Sequence, residues 1–123
     1  MTYAPLRLAF IGYNAPLTKL FFREFLEANH DQMAAYSTTG GGALMLDGTR
    51  IFVTPNHIYM LDGLCVDQVI VACDSRGVKP WPEQRRHLLD ALIDRSARSS
   101  QVRAEDRVII FNLDDKEGAA CTG

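Results

Sequence analysis

Cysteine is scarce in this chain of 123 residues, and the three it has are badly placed for chemistry. Cys65, Cys73 and Cys121 are odd in number and far apart, with no CxxC pair and no histidine at ligand spacing. That pattern argues against both a structural zinc and a disulfide framework. Cys65 and Cys73 read instead as small buried hydrophobes. Charge of one sign is also lacking: 13 Lys and Arg stand against 15 Asp and Glu, a formal net charge of -2. No global field therefore draws the chain to nucleic acid or to an anionic membrane. No apolar run approaches the roughly 18 residues of a membrane span, so no membrane association is expected. The N-terminal MTYAPLRLAFIG holds an arginine inside a short apolar run and shows no small-residue cleavage signature. A secretory leader is not expected, and the cytoplasm is the expected location. GxSxG, HExxH and paired-histidine spacings are missing, as are internal repeats and heptads, so no enzyme class, metal or cofactor is indicated.

What is present is an ordinary core. With 47% hydrophobic residues the chain is long enough for one cooperative domain, expected over residues 1–113, with an acidic, flexible tail over 114–123. Leu6 to Ile11 is an apolar run bounded by Pro5 and Gly12 and predicts a central strand. From Leu17 to Ala28, Leu17, Phe21 and Phe25 follow one helical row, Leu20, Phe22 and Leu26 widen it, and Lys19, Arg23, Glu24 and Glu27 take the wet side. This is the pattern of a helix laid on a sheet.

Met33 to Thr38 is a short run leading into Ser37 to Gly42. Ala43 to Leu46 and Arg50 to Thr54 then flank Asp47-Gly48, a strong short-range hairpin signal. Val66 to Cys73 is the most strand-like stretch, with four consecutive apolar residues at Val69 to Ala72. A second helix is predicted from about Glu83 to Arg95, where Leu88, Leu89, Leu92 and Ile93 make the buried stripe and Pro82 suits the start. Arg107 to Phe111 is a last strand. The alternation predicts an α/β fold of three layers, with a mostly parallel sheet and a β-hairpin insertion.

Gly42-Ala43-Leu44-Met45-Leu46-Asp47-Gly48-Thr49-Arg50-Ile51-Phe52-Val53-Thr54, then Gly63-Leu64, then Val66 to Val71 set out a distinctive order. A glycine leads to a strand, a glycine-bearing turn, a strand ending in threonine, a glycine-leucine pair and a hydrophobic strand. That order resembles the ATPase core of large terminases of tailed phages and of related P-loop helicases. The resemblance implies a P-loop-like sheet and a phage or prophage origin. It also implies a pair of acids at the end of the last strand, where this chain has Ala72 and Cys73, neither of which serves as a hard oxygen ligand for Mg²⁺. The phosphate loop fares no better: a P-loop ends in Gly-Lys-Ser/Thr, whereas Gly12-Tyr13-Asn14-Ala15-Pro16-Leu17-Thr18-Lys19 has the wrong order and one glycine. The expectation is a degenerate, catalytically silent relative.

Candidate ligand-binding residues fall at the ends of predicted strands, where α/β sheets hold ligands. Ser37, Thr38, Gly40, Gly41 and Gly42 offer hydroxyls and backbone N-H groups to an anion; the plainer alternative is a hairpin-edge loop. Asp74 and Arg76, with His57 reaching the same rim, form a second candidate, against the alternative of surface turn residues beside a buried Cys73. Arg85, Arg86, Arg95 and Arg98 are candidates for nucleic-acid contact, diluted by Glu83, Asp90 and Asp94. Trp81, between two prolines, is either an anchor for a protein partner or a plug under the second helix.

These readings favour a non-catalytic accessory protein that acts by binding an unidentified protein partner. The alternatives are a nucleotide binder or hydrolase with an atypical site, and a nucleic-acid-binding accessory protein. Homo-oligomerisation is compatible with the composition.

Overall fold

A computed structural model gives the structure and describes residues 6–36, 42–54, 66–99 and 101–113. Leu8, Ala9, Phe10 and Ile11 of strand β1 (Arg7–Ile11) are all buried, as the unbroken apolar run requires of a strand covered on both faces. Two strands flank it in parallel, β4 (Arg50–Val53) through Phe10 beside Val53 and β5 (Gln68–Cys73) through Phe10 beside Ile70. Outside β4 lie β3 (Gly42–Met45) and β2 (Met33–Tyr36), each antiparallel to its inner neighbour. Outside β5 lies β6 (Val108–Asn112), parallel to it. The sheet therefore has six strands in the order β2-β3-β4-β1-β5-β6, and only β3 runs against the rest.

Side chains alternate across this sheet and each face carries one helix. Helix α1 (Ala15–Ala28) places Phe22 and Leu26 on Leu8, Phe10, Ile51, Ile70 and Ala72. Helix α2 (Glu83–Ser96) places Leu88, Leu89 and Leu92, with Trp81, on the opposite set of Ala9, Ile11, Val69, Val71 and Cys73. Phe10 centres the α1 side, with the rings of Phe22 at 5.3 Å and Phe25 at 5.5 Å between centroids. Cys73 is a free, buried cysteine.

The mixed α/β fold with a mostly parallel sheet matches expectation, but the hairpin is no insertion. Its second strand, β4, is the direct neighbour of β1, because Ile51 is needed in the core. The turn also differs from a two-residue loop. Met45 N-H donates to Thr49 O, Gly48 N-H donates to Met45 O, and Gly48 takes φ 92°, which glycine adopts without penalty. Gly42 fits at the start of β3 because an added Cβ would lie 2.8 Å from Ile51 O.

Element ends shift by one or two residues from the sequence expectation. α1 begins at Ala15, with Pro16 in its first turn, and α2 extends to Ser96. β5 begins at Gln68 because the Asp67 carboxylate turns aside to accept from Arg7 N-H at 2.8 Å and from the Ser99 hydroxyl at 2.6 Å. Asn112, one residue past the expected end of the last strand, closes β6. The expected tail over 114–123 lies outside the described residues.

Candidate functional site

The chain leaves β1 through α1 for the β4 side of the sheet and leaves β5 through α2 for β6 on the other side, so a topological switch point falls between the C-terminal ends of β1 and β5. Open α/β sheets bind ligands at such a point. Here the crevice is occupied by the chain's own side chains.

Asn14 stands at the N-cap of α1 in extended conformation, and its Oδ1 accepts from Leu17 N-H at 2.8 Å. Asparagine is favoured there because it satisfies one of the donors that a helix start leaves free. Thr18, fully buried, closes the turn from the other side: its hydroxyl donates to Asn14 O at 2.6 Å and accepts from Gly12 N-H at 3.0 Å. Thr18 N-H itself donates to Asn14 O at 2.8 Å. The N-H groups of Gly12, Leu17 and Thr18, which an open phosphate loop would aim at an anion, thus all have partners within the loop.

Arg85 of α2 seals the arrangement from across the sheet. Its Nε donates to Gly12 O at 3.2 Å and its Nη2 to Thr18 Oγ1 at 2.9 Å. Only 7% of the residue is exposed. No carboxylate forms an ion pair with it among the described residues. Burial alone lowers its pKa, yet a guanidinium stays protonated throughout the physiological range. Thr54, at the end of β4, completes the rim by binding Phe10 O through both its N-H and its hydroxyl.

Asp74 and Arg76 sit beside this crevice after β5 and are engaged with each other. Arg76 N-H and Nε both donate to Asp74 Oδ1, and Arg76 Nη2 lies 2.7 Å from Asp74 Oδ2. These bonds from Arg76, side chain first, hold the Asp74 carboxyl below the usual range. The geometry is that of a charged surface turn. Gly42 is a strand residue, while Ser37, Thr38, Gly40, Gly41 and His57 lie outside the described residues.

The four candidate arginines do not share a face. Arg85 points into the core, Arg95 is half-buried, and Arg86 and Arg98 are exposed, with Arg98 3.5 Å from Asp94. Arg85 is thereby removed from any surface that could meet nucleic acid. Trp81 is likewise withdrawn: it is 4% exposed and packs with Leu88, Leu89 and Leu92, so the plug reading replaces the anchor reading.

Among the described residues no group of three metal-binding side chains comes together. No described helix is long and apolar enough to cross a membrane. An open groove of about 550 Å³ lies at the far end of the sheet, between Leu6, Gln68, Arg103, Asp106, Val108 and Ile109.

The sequence reading passed over Asn14, Thr18 and Arg85 as one working unit. Signals for two of them were present. Asn14 precedes a proline-bearing first turn, which marks an N-cap. Arg85 lies on the helical row of Leu88, Leu89, Leu92 and Ser96, and so faces inward. Comparison with protein-family models, with curated proteins and with solved structures finds no match to this chain.

Proposed function

We propose that the chain is a non-hydrolysing α/β scaffold of P-loop-like ancestry that acts through protein contacts. One observation carries this reading: the Gly12, Leu17 and Thr18 N-H groups of the loop after β1 are taken up by Asn14 and Thr18, and Arg85 seals the loop. A nucleotide phosphate would have to displace both the cap and the guanidinium to reach the backbone. Ala72 and Cys73, buried at the end of β5, add no metal-holding carboxylate. The phage or prophage origin rests on the resemblance carried by residues 42–54 and 63–71 and belongs to the same proposal.

The competing reading is a binder of a phosphate-bearing ligand at this loop. Arg85 favours it, since a buried cation without a carboxylate partner attracts an anion. A nucleic-acid role has weaker support, because the four arginines are dispersed. Calorimetric titration with Mg-ATP and Mg-GTP separates the first two readings. The scaffold reading expects no heat of binding up to millimolar nucleotide. Saturable binding at micromolar nucleotide overturns it.

A further inference from the structure

The two central strands, β1 and β4, each begin with an arginine, and their parallel register sets Arg7 directly beside Arg50. Side chains alternate along a strand, so residues two apart share a face. Ala9 and Phe52 belong to the α2 side, which puts Arg7 and Arg50 on that side as well. Neighbouring strands lie about 4.8 Å apart, so the two cations start from adjacent points of one surface. Both residues are exposed. Like charges set side by side on a sheet repel each other. Neither guanidinium has a hydrogen bond or an ion pair among the described residues.

The described carboxylates at this end of the sheet are engaged elsewhere. Asp67, just before β5, is 8% exposed and accepts from Arg7 N-H and from the Ser99 hydroxyl. Asp47, in the turn before β4, accepts from Thr49 N-H. Glu105 and Asp106, ahead of β6, lie by Arg103, and Asp94, in the last turns of α2, lies by Arg98. A local rule is thus broken with no offsetting group from the described chain, and breaches of that kind concentrate at functional sites. An anion from outside would turn the repulsion into attraction.

We propose that Arg7 and Arg50 together bind one phosphate monoester group. The planar fork of each guanidinium suits a bidentate bond to an oxyanion. A carboxylate or a phosphodiester presents two free oxygens and one negative charge, enough for one fork. A phosphate monoester presents three oxygens and carries about -1.5 to -2 charges at pH 7, so it serves two forks and matches their charge. A small phosphate and the phosphorylated side chain of a partner protein share this chemistry. The site lies at the N-terminal ends of β1 and β4, whereas Gly12, Thr18 and Arg85 close the opposite end of β1. It is therefore independent of the loop after β1: a loop that binds nothing leaves it standing, and its own failure leaves the loop reading standing.

The test is an NMR titration of the isotope-labelled full chain at neutral pH, in enough salt to screen diffuse attraction. The probes are inorganic phosphate, phenyl phosphate, a glycine-flanked phosphoserine tripeptide, dimethyl phosphate and a thymidine oligonucleotide. Saturable shifts of the Arg7 and Arg50 signals are expected with the first three probes. Arg7→Gln and Arg50→Gln, both at exposed positions, should keep a dispersed, folded spectrum and each weaken binding at least roughly tenfold. Arg50→Lys should weaken it too, since it keeps the charge and loses the fork. A tripeptide bound about tenfold more tightly than inorganic phosphate assigns the site to a phosphorylated partner, and equal affinities assign it to a small phosphate. Arg7 and Arg50 signals that hold still up to tens of millimolar phosphate overturn the proposal, as does binding that survives both glutamine substitutions. Shifts confined to Gly12, Leu17 and Thr18 overturn it as well, because the anion would then sit in the loop after β1. Dimethyl phosphate or the oligonucleotide binding as tightly as phenyl phosphate overturns the monoester and points to nucleic acid.

Discussion

Arg85 shows how one side chain can close a site. A guanidinium taken out of water is costly unless its donors find acceptors, and here they find Gly12 O and Thr18 Oγ1 in place of a carboxylate. Truncation by Arg85→Ala would take the side-chain donor from Gly12 O, leave Thr18 Oγ1 with Gly12 N-H alone, and remove a buried stem. The expected loss is about 1.5–3 kcal/mol in urea unfolding, the range for hydrogen bonds to a charged donor. Arg85→Met should cost less, because an apolar side chain of similar length fills the space without carrying a charge inward. Arg85→Lys should not restore stability, since an ammonium cannot span two acceptors as a planar fork does. An Arg85→Ala variant as stable as the parent would show that Arg85 does not hold the loop. The site is hard to read from sequence because arginine is almost never fully buried, so Arg85 falls in with Arg86 as a candidate for nucleic-acid contact although its helical row holds Leu88, Leu89 and Leu92. Asn14 is masked in another way: its loop compares with a phosphate loop, against which the single glycine and the reversed order of Thr18 and Lys19 stand out before the cap does.

At the scale of elements, the β3–β4 hairpin is set by its turn. Asp47 Oδ1 accepts from Thr49 N-H at 2.9 Å while Gly48 supplies the left-handed residue. The hydrogen bonds from Thr49, backbone first and side chain second, hold the Asp47 carboxyl below its usual range. A carboxyl depressed in the folded state stabilises the fold above its unfolded pKa, about 3.9, and loses that contribution as pH falls through the lower folded value. Asp47→Ala should therefore be less stable than the parent near neutrality by about 0.5 kcal/mol, a small figure because the carboxylate is exposed. Thermal melts across pH should show the gap narrowing as acid protonates Asp47 in the parent. A gap that is constant down to pH 2, roughly two units below the unfolded pKa, would mean that the turn does not depend on the charge. This hairpin was legible because its signal is local: Asp-Gly between two apolar runs. The place of β4 beside β1 was not, since it depends on Ile51 filling the α1 side of the core, a long-range fact that no turn residue encodes. The edge positions of β2 and β6 were hidden for the same reason, as was the pairing of Arg7 with Arg50.

Across the whole molecule, the two cores lie on opposite faces of one sheet and share its strands. Leu8 and Phe10 serve the α1 side while Ala9 and Ile11, their neighbours in β1, serve the α2 side. Neither face can lose its helix without exposing the strands that support the other, so unfolding should be a single cooperative event. Trp81, the sole tryptophan, is buried on the α2 side and reports on that core alone, whereas far-UV circular dichroism reports on the backbone of both. Phe22→Leu alters only the α1 side, where Phe22 packs against Phe10, and should cost about 1 kcal/mol as a near-conservative core change. The urea midpoints from Trp81 fluorescence and from circular dichroism should coincide in the parent and move down together in the variant. If the fluorescence midpoint held still while the dichroism shifted, the α2 core would be a separately stable unit. The shared strands would then not couple the two faces as their alternating side chains require.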